Sequence, residues 1–308
     1  MGLTELFSSI LWYYLLAFVI CFVLYIPIVV AYFKSRLGTR ANYHLWKSVI
    51  LYPVMILPGL FIPLFVMRPR NTMNVRFCSW FVRKVSYLTG LSFEVRGANI
   101  AAMDQGAVIC CNHQSAVDIY AQICLWKHFK LMTSIAKKEI FYLFPFGPAA
   151  WLSGLRYIDR SSSKKSYQTL SSVEKLMTEQ RMKVWIYPEG TRNNKGGFLP
   201  FKKGAFYTAI NAQVPIIPAV FAPYYFMDEP QQKFTHEKKH IILSVLEPIP
   251  TKGLTTADVD SLKEKVYSIM FAEYEKLRDE IMEKSKDPKW LNMQRPRVTL
   301  VDRKLKSP

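Results

Sequence analysis

The longest apolar stretch of the chain lies near its N-terminus. Residues 6–33 contain no charged side chain, and these 28 residues exceed the roughly 20 that an α-helix needs to cross a bilayer. A cleaved signal peptide is the competing interpretation. It fits poorly because Glu5 replaces the usual Lys or Arg, the run is too long, and no small-residue cleavage site follows. The pattern therefore predicts a membrane-anchoring helix.

A second uncharged run covers residues 48–67 and carries Pro53, Pro58 and Pro63. Three prolines interrupt a helical hydrogen-bond ladder, so we expect this segment to kink or to turn back instead of spanning independently. The two runs together predict an N-terminal two-helix membrane anchor over residues 1–70.

Basic residues flank both apolar runs. Residues 34–97 hold ten Lys or Arg side chains against one acidic residue, Glu94. The positive-inside rule places the loop around residues 34–47 on the cytoplasmic side. If the second run turns back, the rest of the chain lies on that side too. Residues 71–90 then predict an amphipathic helix, with an interfacial position and a packed core position both open.

From residue 91 onward, apolar runs that end at turn residues alternate with segments of helical periodicity. Seven segments are expected to form strands: 91–96, 107–111, 130–136, 154–159, 183–187, 215–221 and 240–247. Helices are expected between them at 115–128, 166–181 and 203–213, and a charged helix follows at 256–284. This alternation predicts an α/β domain over residues 91–284, with a mixed, largely parallel sheet flanked by helices.

The last residues carry no such pattern. Residues 284–308 contain eight basic and two acidic side chains without periodicity, so we expect residues 285–308 to form a basic, irregular tail.

Composition narrows the kind of partner. The formal net charge is +18, which predicts a polyanionic partner, while half of the residues are apolar. A nucleic-acid-binding chain of this charge is normally more polar, so a membrane surface and phosphorylated small molecules fit better than nucleic acid. The five cysteines have no metal-ligand spacing and are interpreted as reduced, buried side chains.

The candidate chemistry begins where the strand at 107–111 ends. His113 follows that strand, and Asp118 lies in the first turn of the next helix, with Ser115 and Asp118 at capping-box spacing. With a turn between them, the carboxylate can reach back to the imidazole and leave the other ring nitrogen free as a base. Taken alone, the same spacing is more often a helix cap beside a loop histidine.

Three further polar stretches follow predicted strands: GLRYIDR at 154–160, YPEGTRN at 187–193 and VPIIP at 214–218. Lys137 follows another strand end. Since the carboxyl ends of parallel strands meet at one edge of a sheet, His113, Lys137, Arg160 and Arg192 are expected to face a common cleft.

Together with NHQSAVD at 112–118, these stretches resemble, in order and spacing, the four motifs of the glycerolipid acyltransferase family. The resemblance is greatest to the 1-acyl-sn-glycerol-3-phosphate acyltransferases, and it reverses the weight given to a simple helix cap. One departure is Tyr157, where the family usually has Phe.

The resemblance implies a role for each matching residue. His113 is the general base on the acceptor hydroxyl, and Asp118 orients and stabilises its imidazole. Arg192 and Lys137 bind the acceptor phosphate. The turn of Glu189, Gly190 and Thr191 positions the acceptor. A last group is expected to hold the acyl donor or to fix the backbone: Gly154, Asp159, Arg160 and Pro218.

The implied reaction transfers an acyl group from acyl-CoA to the sn-2 hydroxyl of lysophosphatidic acid without an acyl-enzyme. Acyl-CoA is then a co-substrate, with no bound cofactor and no metal, and the membrane is expected to be that of the endoplasmic reticulum, with the domain on its cytosolic face. Alternatives remain open: an acyltransferase or transacylase of the same fold acting on another lysophospholipid, a hydrolase, and a non-enzymatic membrane scaffold. The hydrolase is disfavoured because the chain has no G-x-S-x-G elbow.

Overall fold

An eight-stranded sheet forms the centre of the computed structural model, which describes residues 3–159, 161–235, 238–286 and 298–303. The strands run β10-β1-β9-β6-β2-β5-β3-β4 across the sheet. Their bounds are β1 Leu91–Arg96, β2 Ala107–Cys111, β3 Met132–Lys137, β4 Arg156–Ile158, β5 Lys183–Ile186, β6 Ile216–Phe221, β9 Lys239–Val245 and β10 Val298–Val301. A separate small hairpin consists of β7 Met227–Asp228 and β8 Lys233–Phe234.

The pairing is parallel throughout this sheet except between β6 and β9. Because β1 and β10 run parallel to β9, these three strands point opposite to the β6-β2-β5-β3-β4 group. This is the mixed, largely parallel α/β sheet that the sequence predicts, and that prediction is confirmed.

Ten α-helices are described: α1 Leu3–Lys34, α2 Arg40–Leu60, α3 Ile62–Met67, α4 Met73–Thr89, α5 Ala98–Ala101, α6 Val117–Leu125, α7 Phe146–Leu152, α8 Ser163–Gln180, α9 Gly204–Ala212 and α10 Val259–Lys284. Helices α2, α4 and α6 contribute to the core on one face of the sheet, and α8, α9 and α10 to the core on the other. In β2, Ile109 and Cys111 join the first core while Val108 and Cys110 join the second. Burial on both faces explains why the central strands β2 and β6 are unbroken apolar runs.

Helix α1 differs from all the other described helices in its exposure. Within the described chain it alone is long and apolar enough to cross a membrane, over Trp12–Lys34, with a mean hydropathy of 2.7 and none of that span buried. This agrees with an anchoring role by length and composition.

Helix α2 differs from the expected second anchor helix. It runs without a break through Pro53 and Pro58, and the chain turns only at Phe61, before α3. Its residues at helical spacing pack against the α/β domain, so that Trp46 is fully buried and meets Phe234 edge to face at 5.2 Å. This packing compensates for the missing proline hydrogen bonds, and it could not be read from hydropathy alone.

Helix α4 carries apolar side chains on its buried face and also on its exposed face. Cys78, Val82 and Val85 are buried towards the domain, whereas Trp80 and Tyr87 are exposed beside Lys84. The C-terminal tail needs a correction. Residues 298–301 form β10 instead of irregular chain, because VTLV is rich in β-branched residues that suit the open edge of β1.

Candidate active site

The predicted site residues follow strands that end at the same edge of the sheet. β2, β5, β3 and β4 are adjacent and parallel, so the segments after them emerge together. His113 follows β2, Glu189 and Arg192 follow β5, Lys137 ends β3, and Asp159 follows β4. Two strand spacings separate β2 from β3, or roughly 10 Å. Arg160 lies outside the described residues.

His113 and Asp118 are in direct contact. The imidazole Nδ1 lies 2.7 Å from Asp118 Oδ2, and the His113 side chain remains 14% exposed while that of Asp118 is fully buried. The Nδ1–H therefore donates to the carboxylate. For Nε2, no hydrogen-bond partner is found among the residues that the structure describes.

The Asp118 carboxylate is fixed on both oxygens. Oδ2 also accepts from the backbone N–H groups of Gln114 and Ser115, at 2.7 and 3.0 Å. Oδ1 accepts from the hydroxyl of Tyr224 at 2.6 Å. The Ser115 contact is one half of the predicted capping box. In the other half the Ser115 hydroxyl accepts from Val117 instead of Asp118, and α6 starts at Val117.

Two tyrosines surround this pair. Tyr224 is buried against Asp118, and burial, together with that carboxylate, raises the pKa of its phenol well above the ordinary value. Tyr187 stacks on the imidazole, with ring centroids 4.1 Å apart and an interplanar angle of 21°. Burial raises the pKa of Tyr187 as well. Both phenols are therefore neutral near pH 7, and one face of His113 is covered.

Glu189 braces the loop that carries His113. Its Oε1 accepts from the His113 backbone N–H at 2.7 Å, and its Oε2 accepts from that of Leu199 at 2.8 Å. Burial, opposed by these two hydrogen bonds, raises the pKa of Glu189 to about 7. The side chain is only 2% exposed, so it shapes the turn from inside. The predicted part of Glu189 in acceptor positioning would therefore act through the shape of this turn.

The next residues of the same turn reach the surface. Gly190 has φ +72°, a left-handed conformation that favours glycine, and a Cβ there would lie 2.9 Å from the end of the Lys202 side chain. Thr191 and Arg192 are exposed, and the following Asn193 donates its N–H to the His113 carbonyl at 2.8 Å. The turn thus ties Arg192 to the histidine loop through the backbone.

The two lysines at the end of β3, Lys137 and Lys138, have different surroundings. Lys137 is exposed, and within the described residues no ion-pair partner is found for it or for Arg192. Lys138 pairs with Asp159 at 2.8 Å. This contact, with hydrogen bonds from Ser161, holds the pKa of Asp159 well below its usual range. Asp159 therefore connects the segments that follow β3 and β4.

Gly154 and Pro218 have structural surroundings. The Gly154 carbonyl accepts from the Thr133 hydroxyl at 2.8 Å, and its φ is +90°. Pro218 is buried inside β6 opposite Cys110, where it fixes the backbone, and it is not exposed to a donor at the sheet edge. Of the two roles expected for Pro218, holding the acyl donor or fixing the backbone, this position favours the second. In the described chain, no cluster of three His, Cys, Asp or Glu side chains is placed to hold a metal ion.

Several residues around this pair were not predicted from the sequence. Tyr224 stands 106 positions after Asp118, and Glu229, which accepts from the Ser115 hydroxyl, stands 114 positions after that serine. The only local signal was the aromatic run PYYF at 223–226 directly after a predicted strand. Tyr187 belongs to the YPEGTRN motif, but its stacking on His113 could be predicted only from the order of the strands in the sheet.

Comparisons with known proteins agree with this fold. A family model described as Acyltransferase matches residues 92–222. Human 1-acyl-sn-glycerol-3-phosphate acyltransferase beta is 39% identical over 201 residues, covering 65% of this chain and 71% of that protein. The human alpha enzyme is 35% identical over 225 residues, covering 73% and 78%.

A solved structure supports the architecture. The crystal structure of the 1-acyl-sn-glycerophosphate (LPA) acyltransferase PlsC from Thermotoga maritima matches with a TM-score of 0.59 and 19% identity, over 77% of this chain and 97% of that one. At this identity the likeness concerns the fold. With the sequence relatives, it follows that the chain is an acyltransferase of phospholipid biosynthesis and belongs to the family of the 1-acyl-sn-glycerol-3-phosphate acyltransferases.

Proposed function

We propose that this enzyme transfers an acyl group from acyl-CoA to the sn-2 hydroxyl of lysophosphatidic acid, giving phosphatidic acid and CoA. The observation that carries the proposal is the 2.7 Å contact between His113 Nδ1 and Asp118 Oδ2 at the edge of the sheet. The names of the relatives support the choice of acceptor. The two exposed cations near this edge, Arg192 and Lys137, support a phosphorylated one.

The first chemical step is proton abstraction by His113. Asp118 holds the Nδ1–H, so Nε2 keeps a lone pair that accepts the proton of the acceptor hydroxyl. The hydroxyl oxygen then attacks the thioester carbonyl of the donor, and a tetrahedral oxyanion forms. Buried Asp118 stabilises the imidazolium that exists at this stage.

Collapse of the tetrahedral species completes the transfer. The C–S bond breaks, the ester bond to the acceptor oxygen remains, and the CoA thiolate leaves with the proton that His113 returns. One hydroxyl proton thus ends on the CoA thiol, and no protein group is acylated. The activated hydroxyl belongs to the substrate, which distinguishes this scheme from a serine hydrolase.

Arg192 and Lys137 are proposed to bind the acceptor phosphate. Arg192 presents a planar fork that can contact two phosphate oxygens, while Lys137 supplies a point charge.

The proposed membrane location rests on α1. We propose that α1 anchors the protein in the endoplasmic reticulum membrane, with the domain on the cytosolic face where acyl-CoA is available.

An assay of the purified full chain with two acceptors and two donors tests the proposal. Lysophosphatidic acid and lysophosphatidylcholine are compared with acyl-CoA as donor, and then with a phospholipid donor in the absence of CoA. We expect turnover that depends on acyl-CoA and prefers lysophosphatidic acid. Preference for lysophosphatidylcholine, or transfer from phospholipid alone, would replace this function by the transacylase or by another lysophospholipid acyltransferase.

His113→Ala tests the base directly. We expect kcat to fall by roughly 100- to 10,000-fold, the usual contribution of a general base, with an unchanged melting temperature. His44→Ala is the matched control, since His44 lies exposed on α2. Folded His113→Ala protein that keeps more than about a tenth of the wild-type kcat would contradict the base role.

A further inference from the structure

Glu229 connects α2 to the catalytic turn. It lies just after β7, and its carboxylate accepts hydrogen bonds from the hydroxyls of Ser115 and Tyr43. Lys47 contacts both carboxylate oxygens, at 2.9 and 2.8 Å. Tyr43 and Lys47 lie one turn apart on α2, whereas Ser115 lies between His113 and Asp118. Three segments that are far apart in sequence thus meet on one side chain.

The consequence for the site runs through Ser115. Its hydroxyl is held by Glu229, and its backbone N–H donates to Asp118 Oδ2, the oxygen that also accepts from His113 Nδ1. The same hydroxyl accepts from Val117 N–H at the start of α6. A shift of Ser115 would therefore move a donor on Asp118 and the first turn of α6, which carries Asp118.

Glu229 is largely buried and remains charged. The side chains of Glu229 and Lys47 are only 18% and 20% exposed. Burial raises the pKa of Glu229, but the hydrogen bonds from Lys47, Ser115 and Tyr43 outweigh burial and leave it below its ordinary value. The group is consequently an anion near pH 7, and its three contacts are charge-assisted.

We propose that Glu229 is a positioning residue for the acyl transfer, through which the docking of α2 fixes Ser115 and, through Ser115, the Asp118–His113 pair. The inference deepens the proposed function and rests on it. It assigns α2 a part in catalysis: the helix that follows the anchor holds the base in its reactive orientation. Glu229 itself does not touch the substrate in this proposal.

Glu229→Gln is the first test, made in the full chain. Glutamine keeps the shape but removes the charge and turns an N–H group towards one of the donors. We expect kcat to fall roughly 10- to 100-fold with KM for both substrates changed less than about twofold, because misplacement of a catalytic group by about 1 Å can cost about 100-fold. Asp228→Asn is the control in the same hairpin, since among the described residues the only hydrogen bond to the Asp228 carboxylate comes from the backbone N–H of Gln231.

A double-mutant cycle separates positioning from a general loss of stability. Ser115→Ala should lower kcat by a similar factor, and Ser115→Ala with Glu229→Gln should be no slower than the slower single variant. Lys47→Met should also lower kcat, but should add nothing in the Glu229→Gln background. Independent, multiplying effects in both cycles would overturn the inference, as would a lower melting temperature with unchanged kcat.

Amide hydrogen exchange gives a readout without substrate. In Glu229→Gln, the amides of Gln114 and Ser115 should exchange faster, and in Asp228→Asn they should not. Unchanged exchange at both amides would overturn the inference even if activity fell. If Glu229→Gln does not fold, Ser115→Ala carries the kcat and exchange tests alone. Failure of the wild-type protein to acylate lysophosphatidic acid would instead refute the proposed function.

Discussion

At the scale of single residues, Asp118 does more than pair with a histidine. Its two oxygens together receive four hydrogen bonds, from His113, Gln114, Ser115 and Tyr224. Such a carboxylate can be fully buried without its charge remaining unsatisfied. The imidazole is then held in one tautomer, which is the condition for its outer nitrogen to act as a base.

Arg192 should distinguish a phosphomonoester from a phosphodiester. We expect Arg192→Ala to raise KM for lysophosphatidic acid and to reduce its advantage over lysophosphatidylcholine, by roughly tenfold for a loss of about 1.5 kcal/mol from a charge-assisted contact. Arg192→Lys should restore only part of the difference because a point charge lacks the fork.

The control for Arg192 is Lys195→Ala, which removes an exposed cation from the same loop. Both acceptors are presented at equal surface concentration, so that membrane charge does not enter the comparison. An equal loss of activity towards both acceptors would show that Arg192 supports the turn and does not read the phosphate.

His128 should make stability depend on pH. Burial lowers its pKa from 6.5 to about 4, helped by the cations Lys127 and Arg83. Between these values the unfolded chain binds a proton that the folded state excludes, so stability falls as pH decreases from about 6.5 towards 4. His128→Gln should lose less stability between pH 7 and pH 5, by on the order of 1 kcal/mol after allowing for partial exposure.

Melting temperatures in detergent at the two pH values measure this difference for His128. His44→Gln, at an exposed position, is the control and should follow the wild type. If His128→Gln shows the same pH dependence as the wild type, the histidine is not excluded from protonation in the folded state.

At the scale of elements, the sequence predicted best where burial and turn signals agree. The strands at 91–96 and 107–111 match β1 and β2. The first alternates apolar and polar residues between two glycines, and the second is an apolar run between Gly106 and Asn112. The candidate pair His113–Asp118 could also be predicted, because the strand, the turn and the helix that place the two residues follow one another directly in the sequence. In these cases neighbouring residues alone were sufficient for the prediction.

Elements that depend on distant contacts were missed. The β7–β8 hairpin has two residues in each strand and no clear alternation, and it is fixed by packing on α2. Strand β10 needs the open edge of β1, more than 190 positions earlier in the chain than Val298. The antiparallel direction of β9 likewise follows from topology, which hydrophobic periodicity does not contain.

Strand β10 should contribute stability and little catalysis. It lies four positions from β2 in the sheet, roughly 19 Å away, and it brings Arg303 to the Glu273 carboxylate. We expect removal of residues 298–308 to lower the melting temperature by several degrees and to leave kcat of the folded protein within about twofold.

Removal of residues 304–308 alone is the control for β10, because it keeps the strand and Arg303. Differential scanning fluorimetry and initial rates on the same samples measure both effects. A large loss of kcat at an unchanged melting temperature would mean that the tail acts on the site and not on the sheet edge.

At the scale of the whole molecule, the charge and the packing of α2 support one arrangement. The net charge of +18 suits anionic lipids, a phosphorylated acceptor and CoA at once. Because Tyr43 and Trp46 of α2 are buried against the domain, the start of α2 and the domain must lie on the same side of any membrane that α1 crosses. The anchor and the catalytic domain are thus joined by a packed helix.

The last prediction is that the domain and the loop after α1 are cytosolic, while the residue before the apolar span is not. Arg36 in that loop, with Lys34 and Arg40 at the helix ends that flank it, favours the cytosolic side. Single cysteines at Leu37 and Lys252, in place of the native residues, should be labelled by an impermeant thiol reagent on sealed, cytosolic-side-out vesicles. Cysteine at Glu5 should be labelled only after the vesicles are opened.

The native cysteines permit this design. Cys78, Cys110, Cys111 and Cys124 are buried, so replacement of Cys21 in α1 removes the main background. Labelling of Leu37→Cys in opened vesicles only, with Lys252→Cys accessible from outside, would require the chain to cross the membrane between these positions. That outcome would contradict the packing of α2 on the domain. Protection of both Leu37→Cys and Lys252→Cys in sealed vesicles would show that the orientation is the reverse of the predicted one. The domain would then lie away from cytosolic acyl-CoA.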